Sequence, residues 1–332
     1  DFLSNTLHKK EKPRETNQGN EKIRRAAVQL IQIVSGLKKR TLYLLALLFI
    51  GIGALVLQKV SDNKQSQLKA LLSLPSIHSD LVIPKDATFL YRPDLIAKID
   101  EKFKTSERAQ VIALIGPGGA GKTILARHYA LTQDAPVVWE ISAESKESLM
   151  SSYEDLAEAL ANEEADKKRL RAINEINKSK ERETKIIHFI KEKLKTYPNW
   201  ILVYDNLEKF TDITSYFPSD LEVWGSGKVL VTTRNGNIHN SNYVDHVVPI
   251  GPLNSDQKYV LFCKILKQGK DESSPMTAFQ NEEIKEFLKE IPPFPLDVSV
   301  AAHYLKSTDT PYKQYLESSF KNNKDFIGLQ EN

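Results

Sequence analysis

Four short apolar runs in the middle of the chain are separated by stretches with helical spacing of apolar residues. The runs are Val111–Ile115, Pro136–Ser142, Trp200–Asp205 and Lys228–Arg234. Parallel strands that are covered on both faces have this composition, because neither face meets water. Strands that alternate with helices form parallel sheets, so the pattern predicts an α/β fold with helices on both faces and a ligand at the carboxyl ends of the strands.

Two other segments have patterns of their own. The charged stretch 162–183 carries Leu170, Ile173 and Ile176 at helical spacing, and it is either a solvated helix that covers the sheet or a regulatory insertion. Residues 41–58 carry no charge and are flanked by basic residues. A helix of this length reaches about 25 Å, which just spans a bilayer if the flanking side chains extend to the interface. We expect a single transmembrane helix at 41–58, with a buried core helix as the alternative.

Composition narrows the function classes. The chain has 332 residues, 41% of them hydrophobic and 27% charged, which suffices for one large domain or two smaller ones. Its single cysteine, Cys263, excludes an intrachain disulfide and a cysteine zinc cluster. Residues 1–70 hold 13 Lys and Arg against 5 Asp and Glu, so the remaining residues hold 33 against 38. Because nucleic acid requires a basic face, we expect no nucleic acid partner for this acidic body.

The first apolar run leads directly into the pattern G-x-x-x-x-G-K-[ST], and a helical segment follows. This context predicts a phosphate-binding loop (P-loop), because glycines let main-chain N–H groups surround phosphates and the following helix directs its positive end towards the anion. Lys122 would reach the β- and γ-phosphates, and the Thr123 hydroxyl would bind Mg²⁺. The predicted nucleotide-binding residues are Gly116, Pro117, Gly118, Gly119, Ala120, Gly121, Lys122, Thr123 and Ile124.

Two strand ends supply partners for this loop. Asp205 ends the third run, which we expect next to the P-loop, where the carboxylate would hold Mg²⁺ through water together with Thr123. Arg234 ends the fourth run, where its guanidinium would detect the γ-phosphate. The alternatives are a helix cap or turn residue for Asp205 and a solvated loop arginine for Arg234.

Residues 23–37 predict an amphipathic helix that lies on the membrane surface or packs against a partner helix.

The orientation in the membrane follows from two conflicting signals. Basic residues are more frequent before the segment 41–58 than after it, which would place the N-terminus in the cytoplasm. The body requires ATP, a cytosolic metabolite, and we give this more weight. We therefore expect a single-pass membrane protein with its body on the cytosolic side.

These motifs resemble the NB-ARC branch of the STAND NTPases, signalling switches related to AAA+ ATPases, over about residues 86–320. The P-loop matches fully, and Asp205 and Arg234 match the Walker B aspartate and the sensor-1 arginine. Ahead of the P-loop, Arg92 matches the arginine of the family's Gly-Arg-Glu motif, although Tyr91 replaces the glycine. The resemblance implies an ADP/ATP-binding site that includes Arg92.

The C-terminal part is similar to the family's helical subdomain. Ile291–Leu305 resembles the segment with the Gly-Leu-Pro-Leu motif, in which Pro295 would pack near the adenine. Pro293 and Phe294 depart from that motif, so only Pro295 and Leu296 carry over. The resemblance implies a small helical domain that closes over the nucleotide. The predicted divisions are a basic region with the amphipathic helix (1–40), the transmembrane helix (41–58), a linker (59–85), the P-loop domain (86–250), a helical lid domain (251–320) and a tail (321–332).

A second departure concerns hydrolysis. Asn206 occupies the position where many relatives carry a second acid, and an amide cannot accept a proton from the attacking water. We expect slow hydrolysis of ATP to ADP and phosphate at most, unless another carboxylate such as Glu208 substitutes. The chain ends at Asn332, before the family's winged-helix domain, as expected of a shortened version or a fragment.

Three functions remain open at this point. The leading hypothesis is a membrane-anchored nucleotide switch, in which exchange of ADP and ATP alters self-association or contact with a protein partner. The alternatives are an AAA-like ATPase with sustained turnover and a scaffold with permanently bound ADP. All three use the same adenine nucleotide site with Mg²⁺.

Overall fold

The structure is a computed structural model that describes residues 25, 53, 58–61, 76–85, 88–104, 110–214, 216–218, 220–267 and 277–318. The chain divides into two compact units, 1–73 and 74–332, and nearly all of the described residues belong to the second. No helix within the described ranges is long and apolar enough to cross a membrane. The predicted transmembrane segment 41–58 lies outside these ranges except for two residues, as do the tail 321–332 and nearly all of the predicted amphipathic helix. These three assignments stay predictions.

A six-stranded sheet forms the centre of the second unit. Its strands are β1 (Ile77–His78), β2 (Gln110–Ile115), β3 (Val137–Ser142), β4 (Trp200–Asp205), β5 (Gly227–Thr233) and β6 (His246–Pro249). The order across the sheet is β1-β3-β4-β5-β2-β6, and every pairing is parallel. The α/β fold that the apolar runs predict is therefore confirmed.

The strand that ends at Asp205 does not pair with the P-loop strand. β5 lies between β2 and β4, and Val229 stands opposite Val111 on one side and Leu202 on the other. The end of β4 thus reaches the P-loop past the intervening strand β5, because the order of strands along a chain does not determine which of them pair. The apolar pattern also does not predict β1 and β6, since strands of two and four residues are too short to show a period.

Helices cover both faces of the sheet. They are α1 (Pro93–Lys104), α2 (Lys122–Leu131), α3 (Lys146–Leu160), α4 (Glu164–Asn174), α5 (Ser179–Leu194) and α6 (Leu221–Trp224). Ile112 and Leu114 of β2 face the apolar layer that contains α1 and α2, whereas Val111 and Ala113 face the layer that contains α3 and α5. Successive strand side chains thus point to opposite faces, and both faces are buried.

The charged stretch between β3 and β4 is helical. Most of its charged side chains are exposed on α4 and the start of α5, while Leu170 and Ile173 are buried in the same apolar layer as α3. This arrangement fits the first of the two interpretations, a solvated helix that covers the sheet.

The C-terminal part of the unit contains α7 (Ser255–Lys267), α8 (Ala278–Glu290) and α9 (Pro295–Thr308), and residues 312–318 are also helical. We call residues 253–318 the lid. Its buried side chains, among them Phe262, Phe287 and Ala301, form an apolar cluster separate from the two layers of the sheet. The lid thus has a hydrophobic core of its own within the second unit.

A buried lysine joins two helices of the lid. Lys258 on α7 donates hydrogen bonds to the carbonyl oxygens of Leu288 and Ile291, the latter at 2.6 Å. These carbonyls lie at the end of α8, where no further helical N–H group is available. Burial lowers the pKa of Lys258. Because the N–H of Leu253 also donates to the carbonyl of Pro293 at 2.7 Å, the turn from α8 to α9 is attached both to α7 and to the start of the lid.

The packing of β4 against β5 gives a stability prediction. Gly227 lies opposite the fully buried Trp200, and a methyl group at residue 227 would overlap the indole ring. Gly227→Ala should therefore lower the free energy of unfolding by about 1–3 kcal/mol, the usual cost of overpacking a core. Urea unfolding followed by tryptophan fluorescence measures the difference. Gly236→Ala is the control, since a methyl group there meets nothing within 4 Å, and equal losses in the two variants would contradict this packing.

Candidate functional site

The P-loop connects β2 to α2 and turns through two glycines with left-handed backbone. The φ angles are 75° at Gly119 and 89° at Gly121, a region that residues with a side chain rarely adopt. Lys122 folds back over the loop, and its Nζ donates to the carbonyl oxygens of Gly116 at 2.8 Å and Pro117 at 2.9 Å. The ammonium group is thereby held against the main chain of the P-loop.

The lid contacts this loop through the backbone. The N–H of Leu296, in the first turn of α9, donates to the carbonyl of Gly119 at 3.2 Å. A Cβ atom at residue 119 would lie 2.8 Å from the Cβ of Leu296, closer than real Cβ contacts allow. Pro295 lies beside the other turn, with its Cγ 3.6 Å from the place of a Cβ atom at Gly121. Residue 119 must therefore be glycine for its close approach to the lid as well as for its φ angle.

Asp205 reaches the P-loop from two strands away. Its Oδ1 accepts a hydrogen bond from the Thr123 hydroxyl at 2.6 Å and another from the Thr232 hydroxyl at 2.6 Å. Thr123 is the second residue of α2, and Thr232 lies on the intervening strand β5. The structure thus brings together the two predicted Mg²⁺-binding residues, Thr123 and Asp205.

A cavity of about 510 Å³ lies between the P-loop, the strand ends and the lid. Of the residues predicted for the site, Arg92, 118–124, Asp205, Arg234 and Pro295 line it. Gly116 and Pro117 are not among the lining residues, and their carbonyl groups accept hydrogen bonds from Lys122 instead. The other lining residues are Pro84, Thr88, Phe89, Leu90, Leu95, Leu125, Ser142, Glu144, Asn206, Thr232, Ile250, Leu261, Leu296 and Ser299. Charged and apolar groups thus share one lining, as a ligand with a flat ring and an anionic chain requires.

Two cations lie beside the glycines of the P-loop. Burial lowers the pKa of Lys122, and the nearby charge of Arg234 lowers it further, while Asp205 and Glu208 act in the opposite direction. The Arg234 guanidinium lies against the loop, with its Cζ 3.6 Å from the place of a Cβ atom at Gly118. An anion bound between these two cations would relieve their repulsion.

Arg92 offers a further donor in the lining. Its Nη1 donates to the carbonyl of Gly251 at 3.4 Å, whereas its Nε is buried and has no hydrogen-bond partner among the residues that the structure describes. Burial lowers the pKa of Arg92, and Asp94 partly offsets this effect. Buried polar groups are almost always hydrogen-bonded in folded proteins. Arg92 lines the cavity, and within the described ranges its Nε is an exception to this rule.

Sequence reasoning missed Glu144 as a carboxylate of the cavity and named Glu208 as an example of a substitute for the second acid. Glu144 follows the end of β3, the strand that pairs with β4, and it lines the cavity. Glu208 is exposed and is not among the lining residues. A sequence signal for Glu144 exists, because it comes only two residues after a predicted strand, and Asn206 comes one residue after β4. The sequence contains no comparable signal for Thr232, since its role depends on how β5 pairs with β4.

Comparison with known protein families identifies this arrangement. The NB-ARC domain family matches residues 92–272, over half of the chain, including the P-loop, Asp205 and Arg234. This chain belongs to the NB-ARC family. The resemblance of the sequence motifs to the NB-ARC family is therefore confirmed.

Among solved structures, one similar to this NB-ARC chain is a signal transduction ATPase with numerous domains (STAND) with a tetratricopeptide repeat sensor from Pyrococcus horikoshii. The sequence identity is 19%, the TM-score is 0.41, and the match covers 72% of this chain and 34% of that one. This chain thus spans about a third of the length of that protein. A search among curated proteins finds no match.

The residues at the P-loop also fit the Mg²⁺ ion that NB-ARC domains typically bind with nucleotide. Thr123 and Asp205 offer a hydroxyl and a carboxylate, and Mg²⁺ prefers such oxygen donors. In nucleotide sites this ion usually takes few protein ligands and completes its shell with phosphate oxygens and water. When bound, the ion would supply charge that stabilises the phosphate chain.

The lowered pKa of Lys122 predicts how nucleotide affinity depends on pH. A bound phosphate chain favours the charged ammonium group, so the pKa of Lys122 is higher in the complex than in the free protein. Affinity for ADP should therefore be highest at pH values below the pKa of Lys122 in the free protein. It should fall as the pH rises from that value to the higher pKa of Lys122 in the complex. Arg234→Ala removes one cause of the lowered pKa and should shift this loss to higher pH. Titrations with a fluorescent ADP analogue at a series of pH values measure both profiles, and identical midpoints would contradict the coupling.

Proposed function

We propose that this NB-ARC protein is a membrane-anchored switch that binds ADP or ATP with Mg²⁺, and that exchange between them changes the arrangement of sheet and lid. The observation that carries the proposal is the contact of Leu296 with Gly119, because it places the first turn of the lid on the loop that receives the phosphates. A ligand that binds one arrangement more tightly shifts the population towards it. The changed arrangement would alter self-association or contact with a protein partner.

Arg234 is the residue that would distinguish ATP from ADP. Its side chain lines the cavity beside Gly118, and a guanidinium matches the geometry of phosphate oxygens. A γ-phosphate would contact it, whereas a diphosphate is shorter by one anionic group. Pro295, which lines the same cavity and lies beside Gly121, would pack near the adenine, as the family resemblance implies.

Slow hydrolysis favours a switch over an enzyme with sustained turnover. Asn206 lines the cavity directly after Asp205, and its amide is not a proton acceptor. Glu144 is the additional carboxylate of the lining, on the neighbouring strand β3. Steady phosphate release from the purified protein would support the AAA-like ATPase instead. ADP that survives dialysis and is never replaced by ATP would support the scaffold.

The P-loop lysine provides the direct test of nucleotide binding. Lys122→Ala removes the cation that the P-loop positions for the phosphates, and it should weaken binding of a fluorescent ADP analogue by about tenfold or more, since a hydrogen bond to a charged group contributes roughly 1.5–3 kcal/mol. Lys98→Ala is the matched control, because Lys98 is exposed on α1 and does not line the cavity. Unchanged affinity of Lys122→Ala would refute the proposed phosphate site.

The membrane anchor is tested separately. We propose that 41–58 spans the membrane and that the nucleotide-binding body lies in the cytosol, where ATP is available. Deletion of 41–58 should move the protein from the membrane pellet to the supernatant after cell lysis and ultracentrifugation. The deletion should leave affinity for ADP unchanged. Continued pelleting would show that another segment, such as the amphipathic helix at 23–37, holds the protein at the membrane.

A further inference from the structure

A buried threonine on β5 fastens the segment that carries the Walker B aspartate. Thr232 is 1% exposed, and its hydroxyl donates to Asp205 Oδ1 at 2.6 Å and accepts the N–H of Asn206 at 2.9 Å. Its carbonyl oxygen accepts the N–H of Leu207 at 2.9 Å. One residue of β5 thus binds three consecutive residues, the last residue of β4 and the two that follow it.

These bonds lie where the strand pairing stops. The last paired residues of β4 and β5 are Tyr204 and Val231, so Asp205 and Thr232 are the next residues along their strands. Asn206 then leaves the sheet with a φ of 59°, in the left-handed region. The side chain of Thr232 therefore makes its hydrogen bonds just beyond the last paired residues of β4 and β5. It holds both the turn at Asn206 and the carboxylate of Asp205.

The same carboxylate oxygen is bound from the P-loop side. Asp205 Oδ1 accepts the Thr123 hydroxyl at 2.6 Å, so the aspartate is held between α2 and β5 by two hydroxyl donors. An ionised carboxylate offers about four acceptor positions, and two hydroxyl donors leave the others for further contacts. Groups that bind the ligands of a metal orient those ligands and influence metal affinity.

We propose that Thr232 is a positioning residue for Mg²⁺, because its hydroxyl sets the Asp205 carboxylate in the place where the metal of the Mg²⁺–nucleotide complex is bound. This inference rests on the proposed nucleotide site and adds a residue that does not itself bind the metal. Loss of the hydroxyl should weaken the part of nucleotide affinity that depends on Mg²⁺. The part that comes from the P-loop should stay unchanged.

The neighbouring residue provides a matched control. Thr233 is also a buried threonine of β5, at 0% exposed, but its hydroxyl accepts the N–H of Asn235 at 2.9 Å and lies on the other side of the strand from Asp205. Thr232→Val and Thr233→Val remove the same atom from adjacent buried positions. A general loss of stability would affect both variants, whereas an effect on the metal would be confined to the first.

The experiment titrates the full chain with a fluorescent ADP analogue, once with MgCl₂ in excess and once with EDTA. Thr232→Val should weaken affinity with MgCl₂ by about tenfold or more, the usual effect of removing a group that orients a metal ligand, and should leave affinity with EDTA unchanged. Thr232→Ser should keep the wild-type response to Mg²⁺, because it keeps the hydroxyl. Thr233→Val should match the wild type in both buffers.

Four results would overturn the inference. The first is a wild-type affinity for the ADP analogue that does not change with Mg²⁺, and the second is a change with Mg²⁺ in Thr232→Val equal to that of the wild type. The third is a loss of affinity in Thr232→Val that is the same with MgCl₂ and with EDTA. The fourth is a Thr232→Ser variant whose affinity no longer changes with Mg²⁺. If thermal unfolding shows that Thr232→Val does not fold, Thr232→Ala takes its place and the Thr232→Ser criterion still applies. Absence of any ADP binding by the wild type would instead refute the proposed function, and this inference with it.

Discussion

A Cβ atom at residue 119 would collide with Leu296, so the P-loop and the lid touch through a backbone that carries no side chain at this point. The N–H of Leu296 completes the contact by donating to the carbonyl of Gly119. Residues of both parts line the cavity, since the loop contributes Lys122 and Thr123 and α9 contributes Pro295. A ligand in the cavity meets both parts of the unit, and it can favour one arrangement of them only because of that double contact.

The charges of the site are arranged so that they stay available to a ligand. Asp205 is held by two neutral hydroxyl groups, which fix its direction and leave its negative charge in place for a cation. Lys122 is held by main-chain carbonyl groups of its own loop. Burial lowers the pKa of Lys122, and the nearby charge of Arg234 lowers it further. Positive and negative groups thus stand side by side and are oriented separately, as a Mg²⁺ ion and a phosphate chain together require.

Local patterns predicted β2 to β5 and the P-loop, because a buried strand is a continuous apolar run and the P-loop glycines lie within eight residues of one another. The closeness of Asp205 and Thr123 was also predicted, although the aspartate makes the contact past an intervening strand rather than from a neighbouring one. The parts that sequence could not supply depend on pairing between distant segments. Which residues at the strand ends face the cavity follows from the register of β5, and this register decides the position of Thr232. An edge strand as short as β1 shows no alternation of apolar and polar residues from which it could be predicted.

The attachment of Lys258 inside the lid has a mechanical consequence. Separating α7 from α8 would break the two hydrogen bonds that the buried Lys258 ammonium group makes at the end of α8, so Lys258 holds these two helices together. The last hydrogen bond to the sheet is made by Ile250 and the first within the lid by Leu253. Gly251 and Pro252 lie between them. The Gly251 carbonyl accepts a hydrogen bond from Arg92, and the proline ring fixes the φ angle of Pro252. A rotation of the lid about this connection would therefore use the torsions of Gly251 and the ψ angle of Pro252.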